Sequence, residues 1–227
     1  MKKIIIGIIG RKTESNDDLS FYGNMIGYDY MKVLDKLDVD YLGIITNDGY
    51  KEVNEDILKL CDGILFPGGS EIKPYHYQIL DYAYKNKVPT LGICLGSQAI
   101  GLYFSKQKEL ETVKNISEVN HNPVLKNVDE RKLPVHSINI KENTILSRLF
   151  GNKIMVNSRH NYCLSSVISP LEVTATSDDG IIEAVELIDK EQFMLGVQWH
   201  PENMEDMFPL FKEFIEHVKY NQKKKSK

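Results

Sequence analysis

Three residue types that together make a nucleophilic site stand in two places in this chain: Cys94, and about a hundred residues later His200 and Glu202. Cys94 lies in Thr90-Leu91-Gly92-Ile93-Cys94-Leu95-Gly96-Ser97-Gln98, where an apolar run from Val88 to Ile93 ends on a Gly-x-Cys-x-Gly turn. The chain resumes as Gln98-Ala99-Ile100-Gly101-Leu102-Tyr103-Phe104 at helical spacing. A strand, a sharp turn and a helix of this kind hold the central residue in a strained conformation, and the flanking glycines let strand and helix approach. A cysteine there projects above the strand at a helix N-terminus, where the dipole favours thiolate over thiol. The same stretch also fits a buried structural cysteine after a core strand. A thiolate nucleophile needs a base that pairs with it and an acid that orients the base. His200 and Glu202, two apart on an extended segment, face the same side and are stiffened by the intervening Pro201. Taken singly, His200 reads equally as a core or surface histidine, and Glu202 as an acid ahead of the helix that begins near Met204.

The elements that must position these groups follow from the pattern. Lys3 to Gly10 is a buried parallel strand, Arg11 to Phe21 a polar loop at its carboxyl end, and Met25 to Leu37 an amphipathic helix. Strands at Tyr41–Ile45 and Gly63–Phe66 and helices at Val53–Leu60 and Tyr75–Tyr84 complete an alternation that predicts a doubly wound sheet. Pro67-Gly68-Gly69-Ser70 leaves the sheet beside the Cys94 elbow, so its amides can form half of an oxyanion hole; alone, the Gly pair reads as a tight turn. Residues 105–132 are polar and carry His121, and they give no clear periodicity. Beyond them come a half-exposed strand at Val135–Ile140, a short helix at Thr144–Phe150 ended by Gly151, and a strand delivering Asn157-Ser158-Arg159-His160. Leu171–Thr176 and Ile181–Leu187 form a hairpin across Asp179-Gly180, Phe193–Val197 is another strand, and Met204–Tyr220 closes the fold as a helix.

Bulk properties exclude more than they assign. The 227 residues are expected to form one domain over 1–220 with a disordered basic tail at 221–227. A net charge of −4 gives no reason to expect nucleic acid or a membrane surface, and no apolar run reaches the roughly 20 residues that span a bilayer. Cys61, Cys94 and Cys163 fit neither a disulfide framework nor a zinc site, which points to a reducing, cytoplasmic compartment. Met1 to Gly10 imitates a signal peptide, but the apolar run stops at Arg11-Lys12 with no cleavage site after it.

Gly92-Ile93-Cys94-Leu95-Gly96-Ser97-Gln98 followed about a hundred residues later by Gly196-Val197-Gln198-Trp199-His200-Pro201-Glu202 resembles the class I glutamine amidotransferase superfamily. Three further stretches are most similar to the γ-glutamyl-γ-aminobutyrate hydrolase group, peptidase family C26. These are Gly63–Pro74, Val156-Asn157-Ser158-Arg159-His160, and Ser177-Asp178-Asp179-Gly180-Ile181-Ile182-Glu183-Ala184-Val185-Glu186. The resemblance implies a flavodoxin-like three-layer α/β fold with a mostly parallel central sheet and a small antiparallel extension. It implies Cys94 as nucleophile, His200 as general base and then acid, and Glu202 as the residue orienting His200. The Gly68-Gly69 turn and the amide of Leu95 would hold the oxyanion, and Gln98, Ser158 and His160 would lie against the substrate. Neither a metal nor an organic cofactor is expected. The partner is a small γ-glutamyl amide, and a homodimer is compatible.

The chain departs from that group at Leu95, where Arg is usual, and at Tyr162, where Gln is usual. It is also short between Pro74 and Val88, and carries Ser105-Lys106-Gln107 in place of a Gly-Gly-Thr segment. Leucine after the cysteine is common in glutamine-using domains. The leading expectation is hydrolysis of a γ-glutamyl amide through a thioester. The alternatives are a glutaminase subunit that supplies ammonia to a separate synthetase, and a non-catalytic module that binds a γ-glutamyl metabolite.

Overall fold

The fold is described from a computed structural model over residues 3–14, 22–46, 52–105, 109–189 and 191–225. Asn16-Asp17-Asp18, Lys106-Gln107 and the last two residues of the basic tail lie outside the described residues. The Ile-rich start forms β1 (Ile5–Ile9), followed by β2 (Arg11–Glu14) and β3 (Tyr22–Met25). Next come α1 (Tyr28–Asp35), β4 (Asp40–Ile44), α2 (Glu55–Leu58), β5 (Gly63–Phe66), α3 (Pro74–Lys85), β6 (Thr90–Ile93) and α4 (Leu95–Phe104). The second half contains β7 (Glu111–Thr112), β8 (His136–Ile140), α5 (Ile145–Phe150), β9 (Lys153–Val156), β10 (Tyr162–Cys163), β11 (Leu171–Ser177), β12 (Ile182–Leu187), β13 (Met194–Val197) and α6 (Phe208–Lys225).

Among the described residues, one nine-stranded sheet runs β4-β1-β5-β6-β13-β12-β11-β8-β9. The first five strands are parallel, and from β13 onward the pairings are antiparallel. Within the parallel half, β1, β5, β6 and β13 are buried on both faces, as their continuous apolar runs require, while the edge strand β4 is largely exposed. One layer packs α1 and α6 against it through Tyr30, Leu34, Leu210, Phe211 and Phe214. The opposite layer uses α3 and α4 through Ile79, Leu80, Ala99 and Ile100.

Local signals set several of these elements. Gly180, at φ +88°, turns the β11–β12 hairpin. Thr144 caps α5 by accepting from the Ser147 N–H, and Gly151, at φ +79°, ends it. The apolar stripe of α6, from Leu210 to Val218, is fully buried.

Other elements differ from the expectation. Arg11 and the residues after it are not simply a loop: β2 and β3 pair antiparallel from Arg11↔Met25 to Glu14↔Tyr22. The turns of α1 present Tyr30 and Leu34 to the core, one helical turn apart, and leave Tyr28 67% exposed. The basic tail is helical through Lys225 rather than disordered from 221. The Asn221 side chain donates to the Lys87 carbonyl at 2.8 Å and Lys224 pairs with Glu191 at 2.8 Å, which anchors a lysine run that itself favours helix. No helix among the described residues is long and apolar enough to cross a membrane.

Candidate active site

The cysteine elbow is built by steric necessity. Cys94 sits at φ 52°, ψ −104°, between β6 and α4, in the left-handed region that an L-residue occupies only under constraint. A Cβ at Gly92 would lie 2.6 Å from the Gly96 carbonyl, and one at Gly96 would run into the Phe66 carbonyl of β5. The strand, the turn and the helix therefore close only because both positions lack a side chain. The Cys94 N–H donates to the Val197 carbonyl of β13 at 2.8 Å, which locks the elbow to the neighbouring strand.

That neighbouring strand delivers the second motif. His200 follows β13 and Glu202 sits in a single 3-10 turn at Pro201–Asn203. The His200 Nδ1 lies 2.7 Å from Glu202 Oε1, in a site where both side chains are buried. Burial alone would lower the His200 pKa, but the Glu202 carboxylate and then Cys94, which shares a hydrogen bond with the imidazole, hold it up at about 9. Glu202 is kept below the ordinary glutamate value, against burial, mainly by His200 and in part by Arg159, whose guanidinium is 3.8 Å away.

The Gly68-Gly69 loop leaves β5 over this pair. A Cβ on Gly68 would sit 2.8 Å from His200 Cε1 and 3.5 Å from Cys94 Cβ, and one on Gly69 would sit 2.8 Å from Leu95 Cδ2. The Gly68 N–H is already committed, donating to the Tyr30 hydroxyl at 3.0 Å. The Gly68 amide is therefore not free to receive an anion above Cys94. The Leu95 N–H, in the first turn of α4, has no intrahelical acceptor. Leu95 is 7% exposed and packs on Gly69, so the position where Arg was the expected residue is filled by an apolar wall.

Gln98 and Ser158 are placed near the site, but their donor groups are spent on the protein. Gln98 donates from Nε2 to the Tyr162 carbonyl at 2.8 Å and to Gln198 Oε1 at 3.1 Å. Gln198 in turn points Nε2 at Cys94 Sγ, 3.6 Å away. The Ser158 hydroxyl donates to the His121 carbonyl at 2.6 Å. The His160 ring nitrogens are directed at His121, 3.2 Å away, and at the Tyr162 carbonyl, 3.0 Å away.

Three contributors carried no role in the sequence reading. Tyr30 is buried beneath the Gly68 loop, and burial together with the Glu202 charge pushes its hydroxyl well above the ordinary tyrosine value. Gln198 is part of the Gly196–Glu202 motif, and its two-residue offset from His200 was the available signal. Asn157 bonds the backbone of His200 on both sides, donating to its carbonyl at 2.9 Å and accepting from its N–H at 2.8 Å.

The arrangement sets a buried imidazole–carboxylate pair beside a cysteine at a helix N-terminus, groups of the kind that acyl transfer through a thioester uses. Comparison with known proteins points the same way. Residues 78–202 match the peptidase C26 family model. The chain is 28% identical over 219 residues to YvdE of Lactococcus lactis, whose name marks it as glutamine amidotransferase-like, covering 87% of this chain and 90% of that one. It is 30% identical over 252 residues to a Staphylococcus aureus CTP synthase, covering 98% of this chain and 46% of that enzyme. The glutaminase domain of Trypanosoma brucei CTPS, solved with bound acivicin, superposes with a TM-score of 0.69 at 18% identity, over 96% of this chain and 94% of that one. The chain therefore belongs to the peptidase C26 family of the class I glutamine amidotransferase superfamily.

Proposed function

We propose that the protein hydrolyses a γ-glutamyl amide bond, releasing glutamate and an amine. The observation that carries this reading is the buried His200–Glu202 pair, 2.7 Å apart, beside a cysteine held at φ 52°. The Cys94 thiolate attacks the γ-carbonyl and forms a C–S bond, while the amides of Gly69 and Leu95 receive the oxyanion. Collapse breaks the C–N bond, and the His200 imidazolium gives its proton to the departing amine. His200, now neutral, takes a proton from water, the hydroxide attacks the γ-glutamyl thioester, and glutamate leaves as Cys94 returns to thiolate. Every proton in the cycle passes through His200, so no metal is required at this centre.

The similarity to CTP synthase across 98% of this chain favours a second reading. In it the leaving amine is ammonia and the acceptor belongs to a partner protein. The two readings share the thioester and separate on the leaving group. Turnover of free glutamine and of γ-glutamyl amides of bulkier amines by the isolated protein, read by mass spectrometry with Cys94→Ala as the blank, tests them. Bulky γ-glutamyl amides cleaved faster than glutamine support the hydrolase. Glutamine used alone, and only with a partner present, overturns it. Thiol labelling near neutral pH tests for a non-catalytic module, in which Cys94 would react no faster than Cys61 or Cys163.

A further inference from the structure

Behind the Cys94 site, three histidines and a glutamate converge from four separate parts of the chain. His121 comes from the segment that gave no periodicity, His136 opens β8, His160 follows β9, and Glu183 lies in β12. One ligating atom from each falls within 4.8 Å of all the others. Glu183 Oε1 is 3.5 Å from His121 Nδ1, 3.5 Å from His136 Nε2 and 3.5 Å from His160 Nε2, and His121 Nδ1 is 3.2 Å from His160 Nε2. The edges of a tetrahedron with metal–ligand bonds near 2.0–2.1 Å are about 3.3–3.5 Å. Ordinary N–H···O hydrogen bonds are shorter, roughly 2.7–3.2 Å.

The outer contacts fix which way each ring faces. His121 Nε2 is 2.9 Å from Asp179 Oδ2, His160 Nδ1 is 3.0 Å from the Tyr162 carbonyl, and His136 Nδ1 is 3.3 Å from the Ser137 carbonyl. With the outer nitrogen of each ring carrying the proton toward its acceptor, each imidazole turns a lone pair inward, the pattern of metal-bound histidines. Inside, both Glu183 oxygens and His136 Nε2 are buried without a hydrogen-bond partner, and the Glu183 side chain has no exposure. Three lone pairs and a carboxylate facing one point repel one another unless a cation sits among them. A dication there would balance Glu183 and Asp179 together.

We propose that His121, His136, His160 and Glu183 form a closed, buried site for a divalent first-row metal, zinc before the others. Three imidazoles and one carboxylate in tetrahedral array suit zinc and disfavour magnesium and calcium, which take oxygen ligands. Four protein ligands leave no open position, so the role is structural. The metal ties the 121 segment, β8 and β12 to the Val156–His160 segment, whose Asn157 grips the His200 backbone. The sequence reading, which expected no metal and placed His160 against the substrate, could not have gathered ligands spread over residues 121 to 183.

The test uses tag-free full-length protein from zinc-supplemented culture, with metal content measured by plasma mass spectrometry. About one zinc per chain is expected. His136→Ala and Glu183→Gln should lose nearly all of it, and Asp179→Asn, which keeps the ligands, should weaken zinc affinity by roughly 10- to 100-fold. His217→Ala, outside the cluster, should retain the full amount. Because ligand variants can fail to fold, the wild-type protein is also stripped with chelator and given Co2+ alone. The strong visible bands of four-coordinate cobalt should saturate at about one equivalent and disappear on adding Zn2+, and zinc should raise the Tm of the stripped protein. If no first-row metal co-purifies, and the stripped protein neither develops those bands nor changes its Tm with zinc, the cluster is held by shared protons and the proposal is overturned.

Discussion

Asn157 and His200 are joined by two hydrogen bonds, the Asn157 amide group donating to the His200 carbonyl at 2.9 Å and its carbonyl oxygen accepting from the His200 N–H at 2.8 Å. The same Nδ2 also donates to the Arg131 carbonyl at 2.8 Å. One side chain thus fixes the peptide that carries the imidazole without touching the reacting atoms. Asn157→Ala would leave the His200 N–H unpaired in a buried place, at about 1–3 kcal/mol, and leave its carbonyl only the Asn203 N–H at 3.2 Å. The expected result is a loss of kcat on the order of a hundredfold with KM little changed, since a small misplacement of a catalytic group has that effect. Asn157→Asp keeps the acceptor and loses the donor, and should fall between. Steady-state kinetics alongside urea denaturation separate misplacement from unfolding: a variant as stable and as fast as wild type would remove Asn157 from the positioning role.

The Gly68 loop gives a second, steric prediction. A methyl group at Gly68 would lie 2.8 Å from His200 Cε1, nearer than carbon atoms pack, so Gly68→Ala must move the imidazole or the loop. Activity should fall by at least roughly a hundredfold at nearly native stability. Tyr30→Phe tests the other side of the loop by removing the acceptor of the Gly68 N–H, at a stability loss of about 1–3 kcal/mol. Thermal melts and turnover of the two variants should diverge: the first inactive but stable, the second destabilised but partly active.

What could be read from the sequence was what depends on neighbours in the chain. The elbow needs only Gly92, Cys94 and Gly96, the β11–β12 hairpin only Asp179-Gly180, and the α5 boundaries only Thr144 and Gly151, so each is written within a few residues. Tyr30 illustrates the limit. The same helix could present Tyr28 or Tyr30 inward, and the choice is made by the sheet and by the Gly68 amide, 38 residues away. The β2–β3 pairing escaped because Arg11-Lys12 and Asn24 do not alternate in hydropathy, and the hairpin lies outside the main sheet. The His121, His136, His160 and Glu183 cluster exists only through the order of strands β12, β11, β8 and β9, which no local pattern specifies.

Gln198 offers a test at the sulfur itself. Its Nε2 points at Cys94 Sγ from 3.6 Å, and its Oε1 is held by Gln98 at 3.1 Å. An amide dipole so directed favours negative charge on sulfur. Gln198→Leu should slow alkylation of Cys94 by iodoacetamide about tenfold, roughly 1.4 kcal/mol, and lower kcat/KM in proportion. Gln98→Ala, which frees Gln198 to turn away, should do the same to a smaller degree. Equal labelling rates across the three proteins would show that the amide has no influence on the thiolate.

The His200–Glu202 pair fixes the dependence on pH. Although burial opposes it, the Glu202 carboxylate, and after it Cys94, holds the His200 proton to about pH 9. The imidazolium that must protonate the leaving amine is therefore present across neutral pH, and kcat/KM should fall on the alkaline side near pH 9. Glu202→Gln removes the largest attraction while keeping the shape, so this limb should move toward acid and the optimum narrow. Stability follows with a definite sign. A histidine whose folded pKa is raised stabilises the protein fully below its unfolded value, 6.5, and that contribution is lost as pH rises through about 9. The full contribution is about 3 kcal/mol. Urea denaturation from about pH 6 to 9.5 should show wild type losing stability relative to Glu202→Gln as pH rises. Parallel curves, or an alkaline limb unmoved by the substitution, would mean that the proton held at His200 does not depend on Glu202.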